Sequence, residues 1–269
     1  MRSQFHCPLC AAPLERTERV YACPGGHSYD IAKEGYVHLL PANQLHSKEP
    51  GDDKAMARAR SRFLSEGHYA HLRDALAALC GELAPRDGAV LDSGCGEGYY
   101  TQALAEALPR GRVAGVDLSK PSLKQAARRA KTSEFAVASV YRLPVGDGEV
   151  DLLLNCFSPL AIGEFRRVLR PGGVLLYVVP GPRHLWEMKE ILYEKPYENP
   201  EETVAYEGFT QVGLRGTEAP MALEHQALMD LFGMTPYAWK TPKAGIQRLS
   251  ALDGLTVTAQ FRVHIFRRE

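Results

Sequence analysis

Three cysteines and a histidine near the start of the chain have the residue types and spacing of a zinc site. They follow the pattern Cys7-X2-Cys10-X12-Cys23-X3-His27, in which two short-spaced pairs approach the ion from separate turns. A redox role for the CPLC segment is the alternative, but it leaves the second pair unexplained. Four protein ligands leave no open coordination position, so the predicted zinc is structural. His6 is a rival ligand, although His27 fits the spacing better.

A second group of residues predicts a nucleoside-binding crevice. The segment AVLDSGCGEGYYTQALAEAL indicates an apolar strand, a turn containing Gly94, Gly96 and Gly98, and a helix. Dinucleotide enzymes use a GxGxxG turn that leaves a pyrophosphate uncrowded by acids. Here Asp92 precedes the turn, which favours a ligand that carries an amino group, such as S-adenosylmethionine. Asp117, at the end of the next strand, suits the ribose hydroxyls of any adenosine cofactor.

These residues need a parallel sheet to bring them together. Apolar segments alternate with helical ones from Ala89 onward, which predicts a doubly wound α/β sheet with its ligand crevice at the carboxyl ends of the strands. A helix in ALEHQALMDLFGM and a strand in LTVTAQFRVHIFRR are expected to complete the sheet with an antiparallel pair. The predicted parallel strands are AVLDS, RVAGVDLS, EFAVASVYRL, a strand beginning at Asp151, and GVLLYVVP.

Between the zinc pattern and the sheet, the sequence predicts one strand and two helices. Residues 36–40 indicate a short strand, and ANQLHSKEPGDD reads as an exposed loop. A helix starting near residue 53 carries Lys54, Arg58 and Arg62 at four-residue spacing, so these side chains share one face. That basic face is either solvated or a contact for phosphates. The segment HYAHLRDALAALCGEL predicts a second helix that packs through its leucines.

Composition limits what the 269-residue chain can be. It is 45% hydrophobic and 24% charged, as in an ordinary soluble globular protein. Because 32 basic residues balance 32 acidic ones, contacts with nucleic acid have to come from local patches. The sequence contains neither a membrane-spanning apolar run nor an apolar signal segment, so we expect a cytoplasmic protein. Two basic clusters are expected to be solvated faces: Arg128, Arg129 and Lys131, and Arg166, Arg167 and Arg170.

The motifs resemble those of a known superfamily. LDSGCGEGYY, GVDLS, LPVGDGEVDLLL and FRRVLRPGGVLL are similar, in type and order, to the motifs of class I S-adenosylmethionine-dependent methyltransferases. The resemblance narrows when both ends of the chain are included. The zinc pattern, DIAKEGYVHLLP, the loop with KEPGDD, VPGPRHLWEMK and GMTPYAWK together resemble the bacterial 23S rRNA guanine-N1 methyltransferases over almost the whole chain.

This resemblance implies a fold, a substrate and partners. The implied fold class is α/β, with a doubly wound, mostly parallel seven-stranded sheet and a small N-terminal zinc-binding domain. The implied divisions are a zinc-binding RNA-recognition domain at residues 1–42, a linker and helix at 43–68, and the methyltransferase domain at 69–269. The implied substrate is N1 of a guanine in a 23S rRNA hairpin loop, of the guanine 745 type in helix 35. A homodimer without a membrane partner is also implied.

The resemblance further implies residue roles, to which the residues' own chemistry adds others. The implied ligands of a structural Zn²⁺ are Cys7, Cys10, Cys23 and His27. The implied contacts to S-adenosylmethionine are Tyr69, Gly96, Glu97 and His184. Chemical reasoning adds Asp92, Gly94, Gly98 and Asp117 to the cofactor set.

The reaction needs in-line approach to an activated methyl group and, because guanine N1 carries a proton at neutral pH, a proton acceptor. Glu97, Tyr100 and His184 are candidates, and the base stays unassigned. The segment NCFSP at residues 155–159 lacks the Pro-Pro pair common in exocyclic-amine methyltransferases; Phe157 either stacks a base or packs under its loop. Two other functions stay open: a small-molecule methyltransferase with a purely structural zinc site, and a catalytically idle RNA-binding protein.

Overall fold

The computed structural model describes residues 2–41, 54–201 and 205–269, and begins with a small antiparallel sheet. Phe5, Leu14 and Tyr21 are fully buried and give this sheet an apolar core. We call residues 2–30 the N-terminal module. Its strands pair in chain order: β1 (Arg2–His6), β2 (Pro13–Arg16), β3 (Val20–Ala22) and β4 (Ser28–Asp30).

A large mixed sheet forms the centre of the molecule. The strand order is β11-β12-β10-β9-β6-β7-β8-β5; β5 to β10 are parallel, and β12 runs antiparallel to both of its neighbours. This is the doubly wound sheet with a terminal antiparallel pair that the sequence predicts. Its strands are β5 (Tyr36–His38), β6 (Ala89–Ser93), β7 (Arg112–Asp117), β8 (Glu134–Val137), β9 (Val150–Cys156), β10 (Leu169–Pro180), β11 (Phe209–Glu224) and β12 (Gly254–Arg268).

The sheet contains eight strands where the sequence predicts seven. The additional strand is β5, which pairs in parallel with β8 so that Tyr36 lies opposite Phe135 and His38 opposite Val137. A strand at this position is predicted, but a run of three paired residues carries no signal for the sheet it joins. Because β5 follows the N-terminal module, the chain leaving that module becomes an edge of the large sheet.

Two further strands differ in length from their predicted spans. In EFAVASVYRL only the first four residues form β8, and the chain then turns through a bridge between Ser139 and Arg142. Strand β10 starts before the Pro-Gly-Gly turn, at Leu169, and its pairing with β9 shifts register between Leu169 and Val174. Gly172 has a φ of +75° within this irregular stretch, a conformation that glycine adopts without strain.

Helices cover the sheet, and the predicted leucine face of the second one is confirmed. Leu72, Leu76 and Leu79 of that helix are buried in the core. None of the helices in the described residues is long and apolar enough to cross a lipid bilayer. The helices are α1 (Lys54–Ser65), α2 (Ala70–Leu83), α3 (Tyr99–Ala107), α4 (Lys120–Arg129), α5 (Ile162–Val168), α6 (Trp186–Leu192), α7 (His225–Gly233), α8 (Tyr237–Lys240) and α9 (Lys243–Ser250).

Part of the basic face of α1 has a structural role. Arg62 donates two hydrogen bonds to the buried carboxylate of Asp230 on α7, at 2.7 and 2.6 Å. Such a paired fork compensates the buried charge of Asp230 and fixes α1 against α7. The side chain of Lys54 lies outside the described residues, so the phosphate-contact role of this face stays a prediction.

The N-terminal module is fastened to the large sheet through Glu134, the first residue of β8. One carboxylate oxygen accepts hydrogen bonds from the Ser3 hydroxyl at 3.1 Å and from the Gln4 backbone amide at 2.9 Å. The other oxygen accepts from the hydroxyl of Tyr21 at 3.1 Å. Three donors from two strands of the module therefore converge on one side chain of the large sheet. A second contact joins the backbone amide of His6 to the carbonyl of Pro144 at 2.8 Å.

Candidate metal centre and cofactor crevice

Cys7, Cys10, Cys23 and His27 meet at one point although they come from separate turns. Their ligand atoms all lie within 4.8 Å of one another. Sγ of Cys10 lies 3.6 Å from Sγ of Cys23, and Nδ1 of His27 lies 3.4 Å from Sγ of Cys23 and 3.5 Å from Sγ of Cys7. Tetrahedral zinc bonds of about 2.3 Å to sulfur and about 2.1 Å to nitrogen separate the ligand atoms by roughly 3.5–3.8 Å. The four residues therefore fit a structural zinc ion.

His6 is occupied by other contacts. Its Nδ1 lies 2.8 Å from the carbonyl oxygen of Ala11, and its Nε2 lies 2.8 Å from a carboxylate oxygen of Glu149. Since both ring nitrogens are engaged, His6 is not the fourth ligand, and the choice of His27 from spacing agrees with the geometry.

The environment of Cys7 favours the thiolate that metal binding needs. Desolvation by burial raises the pKa of this thiol. Hydrogen bonds from the Tyr29 hydroxyl and from the backbone amides of Cys10 and Leu9 outweigh that effect and lower the pKa to about 6. Because the thiolate is the form that binds zinc, the turn prepares the ligand before the ion arrives.

The predicted cofactor turn follows β6 and has the backbone conformation that its glycines suggest. Gly94 has a φ of +82°, and a Cβ there would lie 2.1 Å from Oγ of Ser158 in the loop after β9. Gly98 has a φ of +75°, and a Cβ there would lie 2.9 Å from Cα of Ala126 on α4. Gly96 faces open space, with no heavy atom within 4 Å of its ideal Cβ position. Two glycines thus permit close packing, and the third opens the crevice.

Two acids lie where the ends of β6 and β7 meet this turn. Asp92 is buried and accepts a hydrogen bond from Oγ1 of Thr101 at 2.6 Å. Burial is the main reason that its pKa rises to about 7, and the neighbouring Asp117 raises it further. Asp117 accepts from the backbone amides of Gly96 at 2.9 Å and Ser119 at 2.7 Å, so it links the turn to the start of α4. A cationic ligand group beside Asp92 would favour its ionised form.

Glu97 faces a protein cation. Its Oε1 lies 3.1 Å from Nη2 of Arg129 on α4, and only 4% of the residue is exposed. Burial raises the pKa of Glu97, while Arg129 and the Ser61 hydroxyl of α1 oppose that rise. This pairing ties the start of α3 to α1 and α4. The predicted contact between Glu97 and the cofactor stays a prediction.

Tyr69 and His184 come together in a buried aromatic cluster. Both rings pack against Phe261 of β12, with centroid distances of 4.9 Å for Tyr69 and 4.6 Å for His184, and they lie 6.4 Å from each other. Nδ1 of His184 accepts a hydrogen bond from the backbone amide of Gln260 at 3.2 Å. Burial lowers the pKa of His184 to about 3, so the ring is neutral near pH 7.

These environments bear on the choice of a base. With Nδ1 of neutral His184 accepting a hydrogen bond, its proton resides on Nε2, which makes that nitrogen a donor. Burial also raises the pKa of Tyr100 far above its ordinary value, so this phenol stays protonated. The protonated phenol of Tyr100 accepts no proton, and neutral His184 is a weak base, because its pKa is low and its Nδ1 already accepts from Gln260. The base stays unassigned, and water is the simplest acceptor.

Buried polar atoms without protein partners surround the glycine turn. Within the described parts of the chain, Oγ of Ser93, Oδ1 of Asn155 and Oγ of Ser158 have no hydrogen-bond partner. Leaving such an atom unpaired costs about 1–3 kcal/mol. Ser93 is the last residue of β6, Asn155 lies near the end of the adjacent β9, and Ser158 lies against Gly94 of the turn. The residues present therefore fit a polar ligand such as S-adenosylmethionine.

Phe157 is the exposed aromatic residue in the loop after β9. It adopts a φ of +55°, which is strained for a non-glycine residue, and half of its surface is exposed. Its ring centroid lies 5.5 Å from that of Phe261. The ring thus packs on the aromatic cluster while one side stays open. Sequence reasoning missed Ser158 and Phe261, because nothing in their local pattern distinguishes them from loop and core residues.

The sheet order and the acid-flanked glycine turn define a class I S-adenosylmethionine-dependent methyltransferase. Residues 90–173 match the family model described as a methyltransferase domain. Among solved structures, the chain is similar to the YcgJ protein of Bacillus subtilis, with a TM-score of 0.50 and 14% identity, over 72% of this chain and 97% of that one. At this identity the similarity is evidence for the fold alone.

The chain belongs to the 23S rRNA guanine-N1 methyltransferase family. Residues 5–48 match the zinc-ribbon model described as the N-terminal part of RlmA. The chain is 35% identical to a putative 23S rRNA (guanine-N1) methyltransferase of Micromonospora griseorubida, over 98% of this chain and 97% of the relative. It is 34% identical to the 23S rRNA (guanine(748)-N(1))-methyltransferase of Streptomyces fradiae, over 96% and 95% of the two chains. The family resemblance seen in the sequence is thereby confirmed.

We expect Cys10→Ser to abolish tight zinc binding and His6→Asn to preserve it. Cys10 belongs to the tetrad, whereas His6 contacts Ala11 and Glu149. Metal analysis after dialysis against a weak chelator should find one zinc per wild-type or His6→Asn chain and almost none per Cys10→Ser chain. Loss of the ion also removes folding free energy from the N-terminal module, so Cys10→Ser should lower its thermal stability. Equal zinc content in the two variants would contradict the assignment.

The buried His184 should make stability fall with decreasing pH. Its pKa of about 3 in the folded state is below the unfolded value of about 6.5, so between these values only the unfolded state binds the proton. The resulting slope is up to about 1.4 kcal/mol per pH unit below about pH 6.5, and vanishes above it. Urea unfolding across this window should show a shallower slope for His184→Gln. The exposed His225 provides the control, and a His225→Gln slope that changes equally would refute this origin.

Proposed function

We propose that the protein transfers a methyl group from S-adenosylmethionine to N1 of a guanine in a hairpin loop of 23S rRNA. The observation that carries this proposal is similarity along nearly the whole chain to relatives of that name, including the N-terminal zinc ribbon. The zinc tetrad and the cofactor turn belong to one chain, and the module that carries the tetrad is hydrogen-bonded to the large sheet through Glu134. A small-molecule methyltransferase does not need that second, metal-braced surface.

The cofactor would supply a methyl group already activated by its sulfonium. On this proposal Asp92 pairs with the α-ammonium group, and Asp117 accepts from the ribose hydroxyls at the end of β7. Tyr69 and His184 close the crevice, with Nε2–H of His184 as a donor. The proposed set of cofactor contacts is completed by four residues of the turn: Gly94, Gly96, Glu97 and Gly98. Of these, Gly96 lies on the open face of the turn. The acceleration then comes mainly from positioning, which suits a crevice without an assigned base.

The target guanine would have to leave its stack to reach this crevice, which costs least in a loop. On this proposal Phe157 would stack on it, which is supported by its half-exposed ring packed on Phe261. The name of the Streptomyces fradiae relative specifies guanine 748. For this chain, the guanine 745 type in helix 35 stays a prediction.

The remaining partners are proposed on the same basis. The N-terminal module would bind RNA, with residues 1–42 as the recognition domain, 43–68 as linker and helix, and 69–269 as the methyltransferase domain. Among the described residues, strand β11 is one edge of the large sheet and exposes Val212 and Leu214, which supports a homodimer that covers them. A cytoplasmic location follows from the proposed rRNA substrate.

We expect the zinc-loaded protein to methylate unmodified 23S rRNA or the isolated hairpin. Labelled S-adenosylmethionine measures transfer, and primer extension maps the position because N1 methylation blocks Watson–Crick pairing. The expected result is one new stop at a loop guanine. Gly94→Ala provides a control that should lose transfer, since its Cβ would displace Ser158 from the turn.

Other outcomes would identify the rival functions. Transfer to a small molecule without RNA would favour a small-molecule methyltransferase. Binding of cofactor and RNA with no transfer would favour an idle RNA-binding protein. Either result would contradict the proposed function.

A further inference from the structure

A cavity of about 480 Å³ lies between the N-terminal module and helix α4. Its walls come from three segments: the end of β2, the turn before β5, and the end of α4 with the chain that leads to β8. We call it the junction pocket. It contains none of the zinc ligands or predicted cofactor residues. The lining residues that matter for its chemistry are Arg16, Lys33, Glu34, Arg128, Lys131 and Ser133.

The pocket carries more positive than negative charge. Four basic side chains line it against one acidic side chain, Glu34, which lies 3.8 Å from Arg128 and 3.7 Å from Lys124 outside the lining. Arg16 lies 4.0 Å from Glu134, also outside the lining, so the excess charge rests on Lys33 and Lys131. Lys33 and Lys131 are exposed and form no ion pair with the residues that the structure describes. The basic groups come from the N-terminal module, the turn before β5 and the end of α4. The excess charge is therefore local, even though the chain as a whole is neutral.

Ser133 adds an independent observation. Only 5% of this residue is exposed, yet it lines the pocket, and its Oγ lacks a hydrogen-bond partner in the described chain. A hydroxyl left unpaired at a buried position is costly, and an anionic oxygen in the pocket is an acceptor that would satisfy it. Cations combined with a neutral hydroxyl donor are the usual surroundings of a bound phosphate.

The second basic cluster of the chain, Arg166, Arg167 and Arg170, differs from the junction pocket in how its charges are paired. Each arginine of that second cluster is paired with a protein carboxylate, so its charge is locally neutralised. The pairs are Arg166 with Glu207, Arg167 with Glu164 and Asp147, and Arg170 with Asp151. Of the first cluster, Arg129 pairs with Glu97 and Arg128 with Glu34, whereas Lys131 lines the junction pocket without an ion pair to the described residues.

We infer that the junction pocket binds a backbone phosphate of the RNA, at a point outside the methylated loop. This inference rests on the proposed rRNA substrate. It extends that proposal, because the pocket lies outside both the zinc tetrad and the cofactor crevice. A phosphate held here touches both the N-terminal module and α4. RNA binding would thereby strengthen the contact between the N-terminal module and the large sheet.

The test compares Arg128→Gln/Lys131→Gln with two matched double variants of the zinc-loaded full chain. Arg86→Gln/Arg110→Gln removes equal charge from exposed positions outside the pocket, and Arg128→Lys/Lys131→Arg keeps the charge in place. Affinity for the rRNA hairpin is measured over a range of salt concentrations. Each lost phosphate contact should reduce the slope of log affinity against log salt by about 1, and the pocket variant should bind on the order of tenfold more weakly.

The expected pattern is a loss confined to Arg128→Gln/Lys131→Gln, with unchanged S-adenosylmethionine affinity and a raised KM for RNA at constant kcat. Equal affinity and salt slope in the pocket and control variants would overturn the inference. Transfer to an atom other than guanine N1 would instead contradict the proposed function. The affinities of the variants for RNA could still be compared in that case. Failure of the proposed function can therefore be distinguished from failure of this inference.

Discussion

The hydrogen bonds that converge on Glu134 fix the position of the metal centre relative to the cofactor crevice. The N-terminal module is too small to bury a large core, and zinc supplies folding free energy that its few apolar side chains do not. The module also has to be held against the large sheet. Glu134 contributes to this by accepting from Ser3, Gln4 and Tyr21, in addition to the contacts of His6 with Pro144 and Glu149 and to the apolar cluster that the two parts share. Burial, followed by the negative charge of Glu134, raises the pKa of Tyr21, which keeps the phenol a donor.

The crevice depends on constraints of the same kind. Arg62 and Asp230 hold α1 against α7, and the ion pair of Glu97 with Arg129 holds the start of α3 against α4. Inside this frame the crevice keeps a neutral histidine, an acid whose pKa is near neutrality, and polar atoms without partners. The buried acid and the polar atoms without partners are costly in the absence of a ligand, and both become favourable beside a cationic, hydrogen-bonding one; neutral His184 is compatible with such a cation.

The sequence predicts those features whose signal is local. The zinc ligands lie within 21 residues of one another, and spacing alone selects His27 over His6. The alternation of strands and helices likewise predicts the sheet, because each unit buries its own periodic face. The sequence does not predict that β5 joins the large sheet or that Arg62 meets Asp230, which lies 168 positions away. Phe261 escapes notice for the same reason, since only the fold brings it to Tyr69 and His184.

The most direct test of this account is a double-mutant cycle between Tyr21→Phe and Glu134→Gln, measured as the free energy of unfolding of the zinc-saturated chain. A buried hydrogen bond to a carboxylate is worth about 1.5–3 kcal/mol. We expect a coupling energy of at least about 1 kcal/mol between the two positions. Additive effects within about 0.3 kcal/mol would contradict the role of Glu134, because the hydrogen bond from Tyr21 would then contribute nothing to the junction.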